Sequence, residues 1–217
     1  MDVNQLLEKE KKEINNNIQG IIFDLGGVLM ESAGDESINY ICKILGVEQD
    51  RLKKIISKEI IPLEKGKEAS LDFWHRICNK LKISYPSDKI LESLWVKPYK
   101  DHAEVRSDMF DLVKKLEEKY KLAILSNTIK DHSQINKKRK LFDCFDEVLL
   151  SNEVGFIKPE EDFFRQASKR LKISFENLVF IDDEVKWVRA ARKYGLKAIL
   201  FNNKTQLEVE LRRLGVY

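Results

Sequence analysis

Asp24, Ser126, Lys158 and the pair Asp182-Asp183 are side chains of the kinds that handle phosphate and a hard cation. The carboxylates and the serine follow short apolar runs: Ile21-Ile22-Phe23 before Asp24, Leu122-Ala123-Ile124-Leu125 before Ser126, and Leu178-Val179-Phe180-Ile181 before Asp182. Ser151 stands in the same way after Val148-Leu149-Leu150. Three carboxylates brought within a few ångströms cannot all stay ionised alone, because like charges raise one another's pKa. A Mg²⁺ ion removes that conflict, and it favours oxygen ligands drawn from one or two carboxylates, water and substrate phosphate. The Ser126 hydroxyl, the backbone N–H groups at Ser126-Asn127 and a lysine could then hold the remaining phosphate oxygens. Lys158 is the lysine best placed, in Gly155-Phe156-Ile157-Lys158-Pro159-Glu160, where glycine and proline fix the loop. Taken singly, Asp24 before a glycine pair is an ordinary turn and Lys158 an ordinary solvated lysine. The pattern gains weight only when they are taken together.

The elements that must present these residues are strands alternating with helices. Strand one is expected at about residues 18–24, followed later by the apolar runs ending at Leu125, Leu150, Ile181 and Phe201. Between them lie helical patterns at about Ser107 to Tyr120, a second ending near Leu141, a third at about Glu161 to Leu171, and a last one carrying Val185, Val188 and Ala191 and stopping near Gly195. Such alternation predicts an α/β fold, a doubly wound parallel sheet of Rossmann-like kind, and near-continuous apolar strands suit a sheet covered on both faces. In an open sheet of this type ligands bind beyond the carboxyl ends of the strands, where the strand order switches. That is where the residues named above would lie.

Residues 32–101 read differently. Apolar side chains recur at three- and four-residue intervals, as in Ile38, Ile41, Cys42 and Leu45, then Leu52, Ile55 and Ile56. Breaks at Gly46, Pro62, Gly66, Tyr85-Pro86 and Pro98 divide the block into about four helices, so it is expected to be an all-helical cap inserted after strand one. The expected division is a helical extension over 1–17, a core of 18–31 with 102–217, and the cap at 32–101. The glycine-containing loop from Leu63 to Ser70 either faces a ligand or simply joins two helices.

Composition excludes several classes. At 217 residues, 43% hydrophobic and 35% charged, the chain can bury a core and lies outside the disordered range. No apolar run approaches the roughly 18 residues of a membrane span. Residues 1–17 lack the apolar centre of a secretory signal, so a cytoplasmic location is expected. A net charge of +3 gives no argument for nucleic acid, and the run Lys137-Lys138-Arg139-Lys140 has no interleaved aromatics. Cys42, Cys78 and Cys144 lack metal-ligand spacing and are expected to be reduced thiols. Oligomeric state is open.

Four motifs in order, Phe23-Asp24-Leu25-Gly26-Gly27-Val28-Leu29, Leu125-Ser126-Asn127-Thr128, Gly155-Phe156-Ile157-Lys158-Pro159 and Phe180-Ile181-Asp182-Asp183, resemble those of the haloacid dehalogenase-like hydrolase superfamily, in its helical-cap phosphatase branch. The resemblance implies a Mg²⁺-dependent phosphatase acting on a small phosphorylated metabolite, sugar phosphates among the candidates. It implies that Asp24 is the nucleophile, forming an aspartyl-phosphate, and a metal ligand together with the Gly26 carbonyl and Asp183, with Asp182 acting through water. Ser126 and Lys158 would stabilise the transferring phosphoryl group, and Gly27, Asn127, Glu64 and Gly66 would contact substrate. Two positions depart from the family pattern. Gly26 stands where most such phosphatases carry a second aspartate as general acid and base, a loss that typically costs about 10²–10⁴-fold in rate. Family members resembling glucose-1-phosphate phosphatases also have glycine there, and Glu31 or Asp35 could substitute. Trp187 stands where asparagine is usual. The rival readings are a family member that binds a phosphate ligand or protein partner with little turnover, and a metal-free 2-haloacid dehalogenase, against which the Asp182-Asp183 pair argues.

Overall fold

A computed structural model describes residues 17–216; the helix expected at 1–17 lies almost wholly outside them. Strand β1 (Gly20–Phe23) is followed by five helices: α1 (Gly34–Leu45), α2 (Gln49–Glu59), the single-turn α3 (Ile61–Glu64), α4 (Ser70–Leu81) and α5 (Asp88–His102). The remainder alternates: α6 (Ser107–Glu117), β2 (Lys121–Ser126), α7 (Lys130–Lys138), β3 (Glu147–Leu150), the short α8 (Ser151–Val154), α9 (Glu161–Leu171), β4 (Leu178–Asp182), α10 (Val185–Lys193), β5 (Lys197–Leu200) and α11 (Lys204–Arg213).

The five strands pair in parallel in the order β3-β2-β1-β4-β5. Their side chains alternate between two cores, as a period of two requires. Ile21, Phe23, Leu122, Ile124, Val179 and Ile181 face one cluster, with Met109 and Leu112 of α6 and Leu207 and Leu211 of α11. Ile22, Ala123, Leu125 and Phe180 face the other, with Phe163 and Phe164 of α9 and Val188 and Ala191 of α10. The chain leaves β1 towards β2 and β3, then crosses back to lay β4 on its other side, so the strand order switches between β1 and β4. Asp24 and Asp182 therefore end the two strands that flank the switch point.

The helical layer α1 to α5 has its own core, built around Ile41, Leu52, Phe73, Trp74, Ile77, Leu91 and Trp95. The Trp74 and Trp95 rings lie 4.9 Å apart between centroids. Its two connections to the sheet run side by side, with Glu31 N–H donating to the Glu104 carbonyl at 2.8 Å and Arg106 N–H to that of Leu29 at 3.0 Å.

Besides the short α8, three elements differ from the sequence expectation. The block holds five helices because Ile61–Glu64 forms its own turn, with Pro62 in its first turn, where a missing N–H costs nothing. Pro98 does not end a helix but lies inside α5, where Leu91, Leu94, Trp95 and Pro98 form a buried stripe at i, i+3, i+4, i+7 whose burial outweighs the lost backbone bond. The helix after β4 is not the last. Asn203, whose Oδ1 accepts the Gln206 N–H at 2.9 Å, starts α11, and Leu207 and Leu211 anchor it.

Candidate active site

The carboxyl ends of β1 and β4 bring Asp24, Asp182 and Asp183 together, each offering an oxygen within 4.8 Å of the others. Asp24 is held at the strand tip by its N–H, which donates to the Ile181 carbonyl at 2.8 Å. The chain then turns through Gly26 and Gly27. Gly27 has φ of 80°, and a Cβ on it would fall inside the Asp183 carboxylate, so any other residue would strain the backbone and push that side chain aside.

Lys158 is 2% exposed and its Nζ lies 2.9 Å from Asp24 Oδ1 and 2.6 Å from Asp182 Oδ2. Asp182 also accepts the Glu184 N–H at 2.7 Å. Burial would lower the Lys158 pKa, but the two carboxylates outweigh it and hold the ammonium charged. Asp182 is pushed up to about 7, first by burial and then by the charge of Asp24, against the pull of Lys158. Asp183 is raised by burial and by Asp24 as well. One lysine thus faces three carboxylates, and the two aspartates that end β4 are disfavoured as anions. An all-oxygen donor set with this excess of negative charge fits a hard divalent cation such as Mg²⁺.

Around this centre the other predicted residues divide. Ser126 is buried at the end of β2, beside the tip of β1. Asn127 spends both ends of its amide on the Lys158 backbone: Oδ1 accepts the Lys158 N–H at 2.7 Å and Nδ2 donates to its carbonyl at 3.2 Å. Its side chain fixes the lysine loop, a task the sequence did not indicate. Ser151 clasps Thr128, accepting its N–H at 2.8 Å and donating to its carbonyl at 2.9 Å, and so ties the end of β2 to that of β3.

The loop after α3 reaches the core. Glu64 is partly buried, and burial raises its pKa to about 7 although Lys158 and Lys186 pull it down. The Gly66 backbone lies against the Asn152 carbonyl of α8 so closely that a Cβ would clash, while Lys65 pairs with Glu160. Gly66 is therefore engaged with α8, outside the carboxylate cluster. Glu31 and Asp35 are both occupied, by Arg106 at 2.9 Å and Lys53 at 2.7 Å. At Gly26 itself a Cβ would meet nothing within 4 Å. Trp187 packs against the core cluster of α9 and α10, with the Lys186 ammonium 4.5 Å from its ring centroid.

Sequence reasoning missed an aromatic wall between helical layer and core. His132 of α7 stacks on Tyr99 of α5, with centroids 3.8 Å apart and planes 9° off parallel, and its Nε2–H donates to the Trp95 carbonyl at 3.1 Å. Thirty-odd residues separate these partners, and no spacing rule links them.

Comparison with known proteins gives a consistent picture. The family described as haloacid dehalogenase-like hydrolase matches residues 18–195. A stretch of 70 residues is 34% identical to drimenol cyclase drtB of Aspergillus calidoustus, covering 32% of this chain but only 13% of that protein's length. Over 196 residues the chain is 25% identical to sesquiterpene phosphatase astK of Aspergillus oryzae, covering 89% of this chain and 94% of that one. Among solved structures, a haloacid dehalogenase family enzyme of Bacteroides thetaiotaomicron in complex with magnesium and inorganic phosphate superposes with a TM-score of 0.73. The two are 26% identical, and the match covers 88% of this chain and 98% of the other.

Proposed function

The chain belongs to the haloacid dehalogenase-like hydrolase family, and from that premise we propose that it is a Mg²⁺-dependent phosphatase of a small phosphorylated metabolite, with Asp24 as nucleophile. The observation that carries this reading is the cluster at the switch point: three carboxylates within 4.8 Å, with a buried lysine bridging two of them. The relative named as a sesquiterpene phosphatase and the similar enzyme solved with magnesium and phosphate support it.

Asp24, Asp182 and Asp183 would hold the ion, with the Gly26 carbonyl beside them. Bound there, Mg²⁺ offsets the negative charge of phosphate and carboxylates. An Asp24 carboxylate oxygen forms a bond to phosphorus as the ester P–O bond breaks, and the departing oxygen takes its proton from water. A water molecule then attacks the same phosphorus, releasing inorganic phosphate and restoring Asp24. Lys158 and Ser126 offer an ammonium and a hydroxyl to the phosphoryl oxygens, where preorganised donors act most strongly. Gly27 and Asn127 shape the phosphate cradle, and Glu64, at the end of α3 and facing Lys158, closes it, while Gly66 holds the following loop against α8.

Hydrolysis of para-nitrophenyl phosphate with and without Mg²⁺ tests the proposal. Turnover should need the metal and fall by at least about 10³-fold in Asp24→Asn, the scale of losing a nucleophile. One observation favours a second reading, a family member that binds phosphate with little turnover: Gly26 leaves the acid–base position without a carboxylate. That reading predicts binding of Mg²⁺ and phosphate with no release of nitrophenol.

A further inference from the structure

Beside Gly26 a cavity of about 280 Å³ opens between the sheet and the helical layer, lined among others by Ala33, Ile38, Trp95, Tyr99 and His132. It begins at the one loop position near Asp24 where a side chain is missing and a Cβ would meet empty space. Its volume sits at the lower edge of small-molecule pockets, which run to about 300–1,000 Å³.

Several polar atoms of its walls are already taken. The Tyr99 hydroxyl accepts from Asn136 Nδ2 at 2.7 Å and turns its own hydrogen towards Met30 Sδ at 3.8 Å. The His132 Nε2–H is used on the Trp95 carbonyl, and Glu31 is paired with Arg106. The hydroxyls of Ser32 and Ser37, the His132 Nδ1 and the buried Trp95 Nε1–H remain, fewer partners than a hexose ring needs. A hexose brings a hydroxyl on nearly every carbon, and each one desolvated without a partner weakens binding. The stacked Tyr99 and His132 rings, with Trp95 set edge-on at 90° to His132, instead offer a face that suits a flat apolar group.

We propose that this cavity receives the alcohol part of the phosphate ester, and that this part is flat, apolar and poor in hydroxyl groups rather than a sugar. The inference rests on the phosphatase reading for the placing of the phosphate. Gly26 then has a second consequence: a carboxylate there would stand at the mouth of an apolar cavity, and its absence lets the apolar group run up to the reacting phosphorus.

Phosphonates, which cannot be hydrolysed, separate this inference from the phosphatase reading. With Mg²⁺ present, calorimetric titration should show 1-naphthylmethylphosphonate binding roughly tenfold or more tightly than methylphosphonate, the scale of burying even a small apolar group. The phosphonate analogue of glucose 6-phosphate should gain nothing over methylphosphonate. Gly34→Asp, at an exposed helix start on the cavity wall, and Trp95→Leu, within it, should each shrink the naphthyl-to-methyl ratio at least threefold. The naphthyl preference without any ester hydrolysis would support the cavity assignment while defeating the phosphatase reading. Equal affinities, tighter binding of the sugar analogue, no binding of any phosphonate, or a ratio unmoved in both variants would overturn the cavity assignment.

Discussion

At Gly27 the backbone has φ of 80° and a Cβ would enter the Asp183 carboxylate, whereas at Gly26 a Cβ has open space and no such φ. Gly27→Ala is therefore expected to cost about 1–2 kcal/mol from backbone strain alone and to weaken Mg²⁺ affinity by displacing Asp183. Gly26→Ala should stay within about 1 kcal/mol of the parent. Thermal melts with and without Mg²⁺ check both, and equal effects at the two positions would contradict the account. Gly26→Asp should raise turnover on small esters of poor leaving groups, whose alcohol part does not need the cavity mouth, because the space for a general acid is present. A folded, Mg²⁺-binding variant with no gain would show that the missing acid does not limit the rate. Asp24, Asp182 and Asp183 could be read from the sequence because each follows an apolar run that had to be a strand. The double pairing of Lys158 could not, since a loop lysine carries no mark of where its Nζ goes.

The seam between α5 and α7 carries a pH response of its own. His132 is buried against Tyr99 and Trp95, and burial lowers its pKa to about 4 despite the Trp95 carbonyl. At this site the folded state binds fewer protons than the unfolded chain between about pH 6.5 and 4, so the His132 contribution to stability falls as pH drops through that window and levels off below it, opposite in sign to the raised carboxyls of Asp182 and Glu64. A difference of one bound proton between the two states changes stability by about 1.4 kcal/mol for each pH step of one, so the His132 contribution lost between pH 7 and pH 5 should be about 2 kcal/mol. His132→Gln, which keeps a donor towards Trp95, should remove that part of the slope, as urea midpoints at the two pH values would show. Helix α9 was legible to the residue because Phe163, Phe164, Ala167 and Leu171 repeat at helical spacing. Helix α11 was not, since only Leu207 and Leu211 are buried in a polar stretch. The last turn of α5 was hidden too, because Pro98 signals a break locally and burial, which decides the matter, is not local.

Across the whole molecule, β1, β2 and β4 alternate between two cores that α6 and α11 cover on one face and α9 and α10 on the other. That arrangement requires the apolar strand runs that made the parallel sheet predictable, and the order of the four motifs fixed which strand ends meet. The relation of the helical layer to the sheet was not legible, because it depends on contacts such as Tyr99 on His132 and Gly66 on Asn152 that join distant segments through shape. The central claim is that Asp24, at the tip of the middle strand, takes the phosphoryl group. Borohydride reduction of the Mg²⁺-loaded enzyme during turnover of para-nitrophenyl phosphate, followed by peptide mass spectrometry, tests it directly. The account predicts reduction of an acyl phosphate to homoserine at position 24 alone; sustained turnover with Asp24 unmodified, or homoserine at another aspartate, would contradict it.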